Sequence, residues 1–379
     1  MQILIAPNAF KHALSAEEAA VCILEGLKKS KLRFKGRLFP VADGGDGAGS
    51  LLIKKSKGRL IPARVNDPLG RRISAPYGLS DDGQTAIIEL ANASGLKLLN
   101  QRELAPLIAS TRGTGELIRR AMDQKVRTIL LCLGGSATID GGSGILNELG
   151  VQFLDKRRLP LAGMPESLSL LRHIDLSEMD KRVRETRFII LCDVNNRLLG
   201  RRGAAAVFGP QKGAGKREIA KLEKALEKFR DIALLQTGKD IAALRYGGAA
   251  GGVAAGLALF PSASLVQGSD FFLDYTDFDK SLQTADLVIT GEGSIDGQTL
   301  GGKAPYTVAK RAKRLGIPVI GLAGNIVFEK NPRLKRYFDL LLPLADMPAD
   351  LETAIKQTAV NLRLTAKTLG DFLATKPGI

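Results

Sequence analysis

The amino-acid sequence predicts an α/β protein of two domains, and three observations carry that expectation. Apolar, strand-like runs that empty into glycine-rich loops and then into helical patterns recur near both ends of the chain. Between Leu60 and Leu90 the pattern changes to short alternating runs broken by Asn66-Asp67-Pro68-Leu69-Gly70 and Ser80-Asp81-Asp82-Gly83, the signature of an antiparallel meander. The length, 379 residues, exceeds what one ordinary core accommodates. The C-terminal part is therefore expected to rejoin the sheet begun at the N-terminus. Residues 1–62 plus 280–379 make one discontinuous domain, and residues 63–279 make an inserted second one with a mixed sheet.

Taken in order, Ile3 to Ala6 reads as a short buried strand, followed by the loop Pro7 to Leu14. Ser15 with Glu18 forms a capping box, and Ala20, Leu24 and Leu27 give the ensuing helix its inner face. Lys11 thus falls on a loop beyond the carboxyl end of a strand, where open α/β sheets bind ligands; it suits a phosphate or carboxylate, or is a plain surface lysine. His12 reads as merely exposed. A second strand, Arg37 to Ala42, runs into Asp43-Gly44-Gly45-Asp46-Gly47-Ala48-Gly49 and a helix through Leu51 and Leu52. Two carboxylates among glycines suit a magnesium or hydroxyl site, with a Gly/Asp turn as the alternative.

Gly113-Thr114-Gly115-Glu116-Leu117 opens a helix ahead of the central stretch of the chain. There the apolar run Thr128 to Cys132 leads into Leu133-Gly134-Gly135-Ser136-Ala137-Thr138-Ile139-Asp140-Gly141-Gly142, and helical spacing resumes at Ile145, Leu146 and Leu149. Glycines at the mouth of a helix let backbone N–H groups approach an oxyanion, the Ser136 and Thr138 hydroxyls add donors, and Asp140 can help hold a metal. A plain glycine-rich turn is the alternative. The run Phe188 to Cys192 is another buried strand, ending at Asp193, which suits catalysis or a turn cap. Arg201, Arg202 and Lys212 follow, each able to bind a carboxylate or phosphate.

The amphipathic helix Lys216 to Leu235 reads as structural. The small-residue stretch from Tyr246 to Val253 begins a helix that serves either tight packing or ligand approach. Asp286 to Thr290 is a strand that passes through Gly291-Glu292-Gly293-Ser294-Ile295-Asp296 to a helix with Pro305 in its first turn. Ile317 to Leu322 and Leu340 to Leu344 are further strands, and Leu351 to Leu373 closes the chain as a helix.

Composition narrows the function. The chain is 45% hydrophobic and 25% charged, which is ordinary globular usage. No apolar run is long enough to span a bilayer and the start has no basic leader, so no membrane association is expected. Three cysteines without paired or metal-type spacing fit a reducing cytoplasm. The formal charge of +16 raises nucleic acid as a partner, yet the basic residues are dispersed over helix surfaces, Trp is absent and aromatics are few, so a solvated basic surface is the expectation. Gly297 to Ala304 nearly matches a P-loop, but Ala304 stands where a Ser or Thr should hold magnesium. The chain has no G-x-G-x-x-G, C-x-x-C, H-E-x-x-H or G-x-S-x-G pattern, which counts against dinucleotide, zinc and serine-hydrolase chemistry. Glycine and hydroxyl loops, strand-end carboxylates and isolated Lys and Arg residues remain, the equipment of metal-assisted phosphoryl transfer.

These residues also carry a resemblance. Ile5-Ala6-Pro7-Asn8-Ala9-Phe10-Lys11, Ala42-Asp43-Gly44-Gly45-Asp46-Gly47, Gly113-Thr114-Gly115-Glu116, Gly134-Gly135-Ser136-Ala137-Thr138, Cys192-Asp193-Val194, Val207-Phe208-Gly209-Pro210-Gln211-Lys212-Gly213-Ala214 and Thr290-Gly291-Glu292-Gly293 occur in that order. In that order the set resembles the bacterial type I glycerate kinases. The resemblance implies ATP-dependent phosphorylation of D-glycerate with Mg²⁺, usually to 2-phosphoglycerate. It also implies a flavodoxin-like domain with a mainly parallel sheet and a second α/β domain, with the active site in a cleft between them. On this reading Gly134, Gly135, Ser136, Ala137 and Thr138 hold the ATP phosphates, and Asp193 or Asp296 orients the acceptor hydroxyl. Lys11 neutralises the transferring group, and Asp43, Asp46 and Glu292 form the metal environment. Arg202, Ser15 and Thr114 contact the substrate. Nucleic acid is not an expected partner, and monomer and homodimer both remain open. The chain departs from the common pattern at Asn8-Ala9, Arg112, Ile139, Asn195-Asn196-Arg197 and Ser294, positions that bear on substrate preference and rate.

Overall fold

A computed structural model describes residues 1–45, 47–296, 299–326, 332–344 and 350–375. Asp46, one of the expected metal ligands, lies outside the described residues, as do Gly297 and Gln298 of the P-loop-like stretch. Among the described residues there are thirteen strands: β1 (Gln2–Ile5), β2 (Lys35–Leu38), β3 (Arg59–Asn66), β4 (Arg72–Leu79), β5 (Thr85–Glu89), β6 (Thr128–Cys132), β7 (Gln152–Leu154), β8 (His173–Asp175), β9 (Arg187–Cys192), β10 (Ala263–Gln267), β11 (Leu287–Ile295), β12 (Val319–Ile326) and β13 (Leu340–Pro343). Among these residues no helix is long and apolar enough to cross a membrane.

The chain forms two compact units, Met1–Asp43 with Ser269–Ile379, and Gly44–Gly268. Residues 44–62 lie in the second unit because β3 is zipped antiparallel onto β4 along its whole length, and the helix Ala48–Lys55 is held at its start by Glu89, whose Oε1 accepts from the Gly49 N–H at 2.7 Å. Residues 269–279 lie in the first unit, where Ser269 Oγ donates to the Gly302 carbonyl at 2.6 Å and Phe278 meets Phe39 edge-on at 5.0 Å.

In the first unit five parallel strands run in the order β13-β12-β11-β1-β2. Numbered as the chain visits them this is 2-1-3-4-5, the doubly wound, flavodoxin-like order. Ile3, Ile5, Leu287 and Ile289 pack with Ala20, Ile23 and Leu27 of the helix Ala16–Lys28 and with Leu362 and Leu369 of the helix Leu351–Ala374. Leu4 and Val288, which alternate to the other face, are equally buried, as a parallel sheet covered on both sides requires. The second strand lies earlier than the sequence suggests, at Lys35–Leu38 rather than Arg37 to Ala42, and it is exposed at the sheet edge. Pro40 has no N–H to continue the ladder, and only Phe39 and Val41 still bond back, to the Ile5 and Pro7 carbonyls.

The second unit is built on a six-stranded mixed sheet, β10-β9-β6-β5-β4-β3, with a separate β7-β8 pair. β5, β6, β9 and β10 are mutually parallel, whereas β3, β4 and β5 form the antiparallel meander. The helix Arg112–Asp123 buries Leu117, Ile118 and Ala121 into its core, and the helix Lys216–Thr237 buries Leu222, Leu226 and Phe229.

Candidate active site

Each unit gathers polar groups at the carboxyl ends of its parallel strands, and the two sets differ in charge. In the first unit the strand order reverses between β1 and β11, which opens the crevice where doubly wound sheets take their ligands. Past the end of β1 the chain stays beside β11, because the Asn8 N–H donates to the Gly291 carbonyl at 2.8 Å. Asn8 Nδ2 donates to Asp43 Oδ2 at 3.2 Å. On β11 the next residue, Glu292, is 5% exposed; its Oε1 accepts from Thr299 Oγ1 at 2.9 Å and its Oε2 lies 3.7 Å from Lys303 Nζ. Burial pushes the Glu292 carboxyl up to about 7, and the charges of Asp43 and Asp296 add to the rise that Lys303 and the Thr299 hydroxyl oppose.

Asp296 is half-buried and closes a turn with Thr299: its Oδ1 accepts from the Thr299 N–H at 3.3 Å, and its own N–H donates to Thr299 Oγ1 at 3.1 Å. Lys11 is exposed, and its backbone nitrogen lies 3.6 Å from where a Cβ at Gly293 would sit. The structure therefore brings Asp43, Glu292 and Asp296 together, with the Lys11 loop alongside. Among the described residues no group of three or more His, Cys, Asp or Glu side chains is arranged to hold a metal ion. One or two hard carboxylate oxygens with a ligand's phosphates are nevertheless the usual magnesium set, and Lys303, 3.7 Å from Glu292, offsets part of the charge of the three carboxylates. Asp43 and Glu292 fit that ion.

In the second unit the loop after β6 is held by three other segments of the chain. The Ala137 N–H donates to the Ser94 carbonyl at 2.9 Å, and the Leu96 N–H donates to the Gly135 carbonyl at 2.9 Å. Lys212 Nζ donates to Ser136 Oγ at 2.7 Å and to the Thr138 carbonyl at 2.8 Å. The Gly141 N–H donates to the Gly251 carbonyl at 3.0 Å, and a Cβ at Gly251 would fall 2.0 Å from the Thr138 carbonyl oxygen, so only glycine fits there. The stretch from Ala249 to Leu257 is thus no continuous helix. Ala250, Gly251 and Gly252 take φ of 52°, 70° and 95°, which turns their backbone against the loop and answers the open question in favour of tight packing.

Asp140 is fully buried and accepts from Thr111 N, Thr111 Oγ1, Gly142 N and Gly144 N at 2.8, 2.7, 3.0 and 3.2 Å. Its oxygens staple the loop to the segment at Thr111 rather than serve a metal; burial raises its pKa against those bonds. Gly135, with φ of 68°, is the exposed residue of the set Gly134 to Thr138. Asp193 is half-buried at the exit of β9, and Arg202 is exposed.

Two expected substrate contacts are committed elsewhere. Ser15 caps the helix Ala16–Lys28, with its Oγ 2.8 Å from Glu18 Oε2 and accepting from the Glu18 N–H. Thr114 is fully buried, with its hydroxyl 2.8 Å from Ser94 Oγ. Lys212 is the group whose place sequence reasoning missed. It is 2% exposed, and burial pushes its ammonium down to about 7, although Asp140 and Asp193 favour the charge. The sequence signal was a lysine inside the tight turn Gly209-Pro210-Gln211-Lys212-Gly213, whose direction inward is set by the 3₁₀ turn Pro210–Lys212.

Comparison with known proteins gives a consistent result. The model of the glycerate kinase family matches residues 3–374. The chain is 42% identical over 369 residues to a glycerate kinase of Bacillus subtilis strain 168, with 97% of each chain covered. It is 35% identical over 374 residues to the glycerate 2-kinase of Escherichia coli K12, covering 99% of this chain and 98% of the other. A crystal structure from Salmonella typhimurium LT2 that bears the provisional name glycerate kinase 2 superposes with a TM-score of 0.81 at 40% identity, over 98% of both chains.

Proposed function

The chain belongs to the glycerate kinase family, a family of phosphotransferase enzymes, and on that premise we propose that it transfers the γ-phosphoryl group of ATP to the 2-hydroxyl of D-glycerate, giving ADP and 2-phosphoglycerate. The observation that carries this reading is the carboxylate group Asp43, Glu292 and Asp296, which lie at or beyond the carboxyl ends of β2 and β11. Phosphoryl transfer needs charge neutralisation and positioning more than a protein nucleophile.

In the proposed reaction the acceptor oxygen attacks the γ-phosphorus in line, the bond to the β–γ bridging oxygen breaks, and ADP leaves with the electron pair. The hydroxyl proton passes to a carboxylate, Asp193 or Asp296, each at the exit of a strand. Lys11 faces the transferring group and Arg202 the glycerate carboxylate. The loop Gly134 to Thr138 receives the nucleotide's phosphates at its exposed turn, Gly135. Asp43 and Glu292 would hold Mg²⁺, which when bound neutralises phosphate charge. Ser15 and Thr114 leave the substrate set, because their hydroxyls serve a helix cap and a buried pair. Three buried free cysteines suit the reducing cytoplasm we propose as its compartment.

Steady-state ADP release tests the reading, with D-glycerate compared with L-glycerate, other small hydroxy acids and no acceptor. D-glycerate is expected to give the highest kcat/KM. A preference for another hydroxy acid would move the assignment to that substrate, and no acceptor-dependent release from a folded, ATP-binding protein would end it.

A further inference from the structure

Lys212 carries a charged side chain into the interior of the second unit, where a neutral group would serve as a fastener at lower cost. Its ammonium bridges Ser136 Oγ and the Thr138 carbonyl, which lie on either side of Ala137 next to the exposed turn at Gly135. The Phe208 ring centroid lies 5.9 Å from Nζ. The charged groups acting on it are Asp140 and Asp193, and the Asp140 carboxylate is already taken up by Thr111, Gly142 and Gly144. The loop's own donors are partly spent as well, since the Ala137 N–H bonds to Ser94. What the loop keeps is a turn tethered by these bonds with a buried positive charge behind it, where weak screening makes that charge count for most.

We infer that Lys212 is a positioning residue for phosphoryl transfer: by tying Ser136 to Thr138 its ammonium fixes the Gly134–Thr138 loop in the conformation that receives the nucleotide's phosphates. This inference rests on the functional reading above. It also gives the Ser136 hydroxyl, expected as a donor to phosphate, the role of an acceptor from the cation. A charge fixed behind the turn disfavours no anion at Gly135, whereas a neutral tether would leave the loop in place without its field. The ammonium should therefore be needed in its protonated state, a requirement that a packing role alone does not impose.

The test compares wild type with Lys212→Met and Lys212→Arg by kcat, KM for ATP and the pH dependence of kcat/KM, with amide hydrogen exchange of residues 134–142 read alongside. Lys212→Met is expected to lose at least about 30-fold in kcat, less than the ~10²–10³ for a donor that touches the reacting oxygens because Lys212 acts through the loop, and to exchange faster in 134–142. Arginine keeps its proton throughout the working range, so Lys212→Arg should recover part of the rate and move the alkaline limb of the profile up by more than about one pH unit. Wild-type kcat in the Met variant, or an unmoved alkaline limb in the Arg variant, would overturn the inference.

If Lys212→Met does not fold, Ser136→Ala removes one acceptor and leaves the charge. A severalfold loss in kcat with faster exchange in 134–142 supports the inference, and wild-type values of both refute it. If wild type shows no glycerate-dependent ADP release, the functional reading has failed. The fate of Lys212 is then decided by ATP affinity and exchange, which must both change in Lys212→Met for the inference to stand.

Discussion

The strand ends of the two units use the same physical device with opposite sign. In the first unit a buried carboxylate, Glu292, sits among other carboxylates and is driven up to about 7. In the second a buried ammonium, Lys212, sits on a hydroxyl and a carbonyl and is driven down to about 7. Burial penalises whichever charge it meets, so both groups are held near the point of losing it. The difference lies in what each invites. A cation would offset the charge of the first set, and an anion that of the second.

The largest expected effect comes from the proton acceptor, whose identity separates the two units most sharply. Of Asp193→Asn and Asp296→Asn, the variant that removes the base should lose about 10²–10⁴ in kcat, measured by ADP release at saturating substrates. If both retain wild-type turnover while folded, neither strand end supplies the base. Next, Lys11→Ala is expected to cost at least about tenfold and up to a thousandfold in kcat, as for other lost charge stabilisers. Unchanged kinetics would remove the Lys11 loop from the first unit's set.

Glu292→Gln sharpens the comparison through stability. The folded value of Glu292 lies above its ordinary 4.5, so the folded state holds the extra proton between the two values and stability falls as pH rises through that window. Above it the ionised, buried carboxylate is a liability with a ceiling of roughly 3 kcal/mol. Without added metal, Glu292→Gln should melt a few degrees higher than wild type at pH 8 and gain nothing at pH 4.5, by calorimetry. Lys212 behaves in mirror image: its penalty is complete below about 7 and is relieved as pH rises toward 10.5. A Glu292→Gln gain that does not depend on pH would break the comparison. The smallest effect is expected at Ser15→Ala, about 1 kcal/mol of stability from the lost helix cap, with kcat unchanged.

Much of this was legible in the sequence where the cause is local. The Ser15–Glu18 capping box, the meander between Leu60 and Leu90, and the strands that end at Cys132 and Cys192 follow from spacing alone. The parallel first sheet follows from strand–loop–helix alternation, and the ordered motifs give the family. What escaped depends on residues far apart in the chain. Nothing near Gly134 announces that Ser94, Lys212 and Gly251 occupy its loop from three other segments. The hydroxyl of Thr114 looked available until Ser94 was packed against it. Asp140 looked like a metal ligand because its four donors come from Thr111 and from the turn that follows it, and the first of these is visible only in the folded chain. The Ser15 hydroxyl, by contrast, is engaged by a neighbour three residues away, as the capping box in the sequence already implies.

The product of the reaction is the most direct test of the proposed phosphoryl transfer. Phosphorus NMR of the wild-type protein with ATP, Mg²⁺ and D-glycerate should show ADP and 2-phosphoglycerate appearing in equal amounts. Intact ATP, or ADP accompanied only by inorganic phosphate, would contradict it.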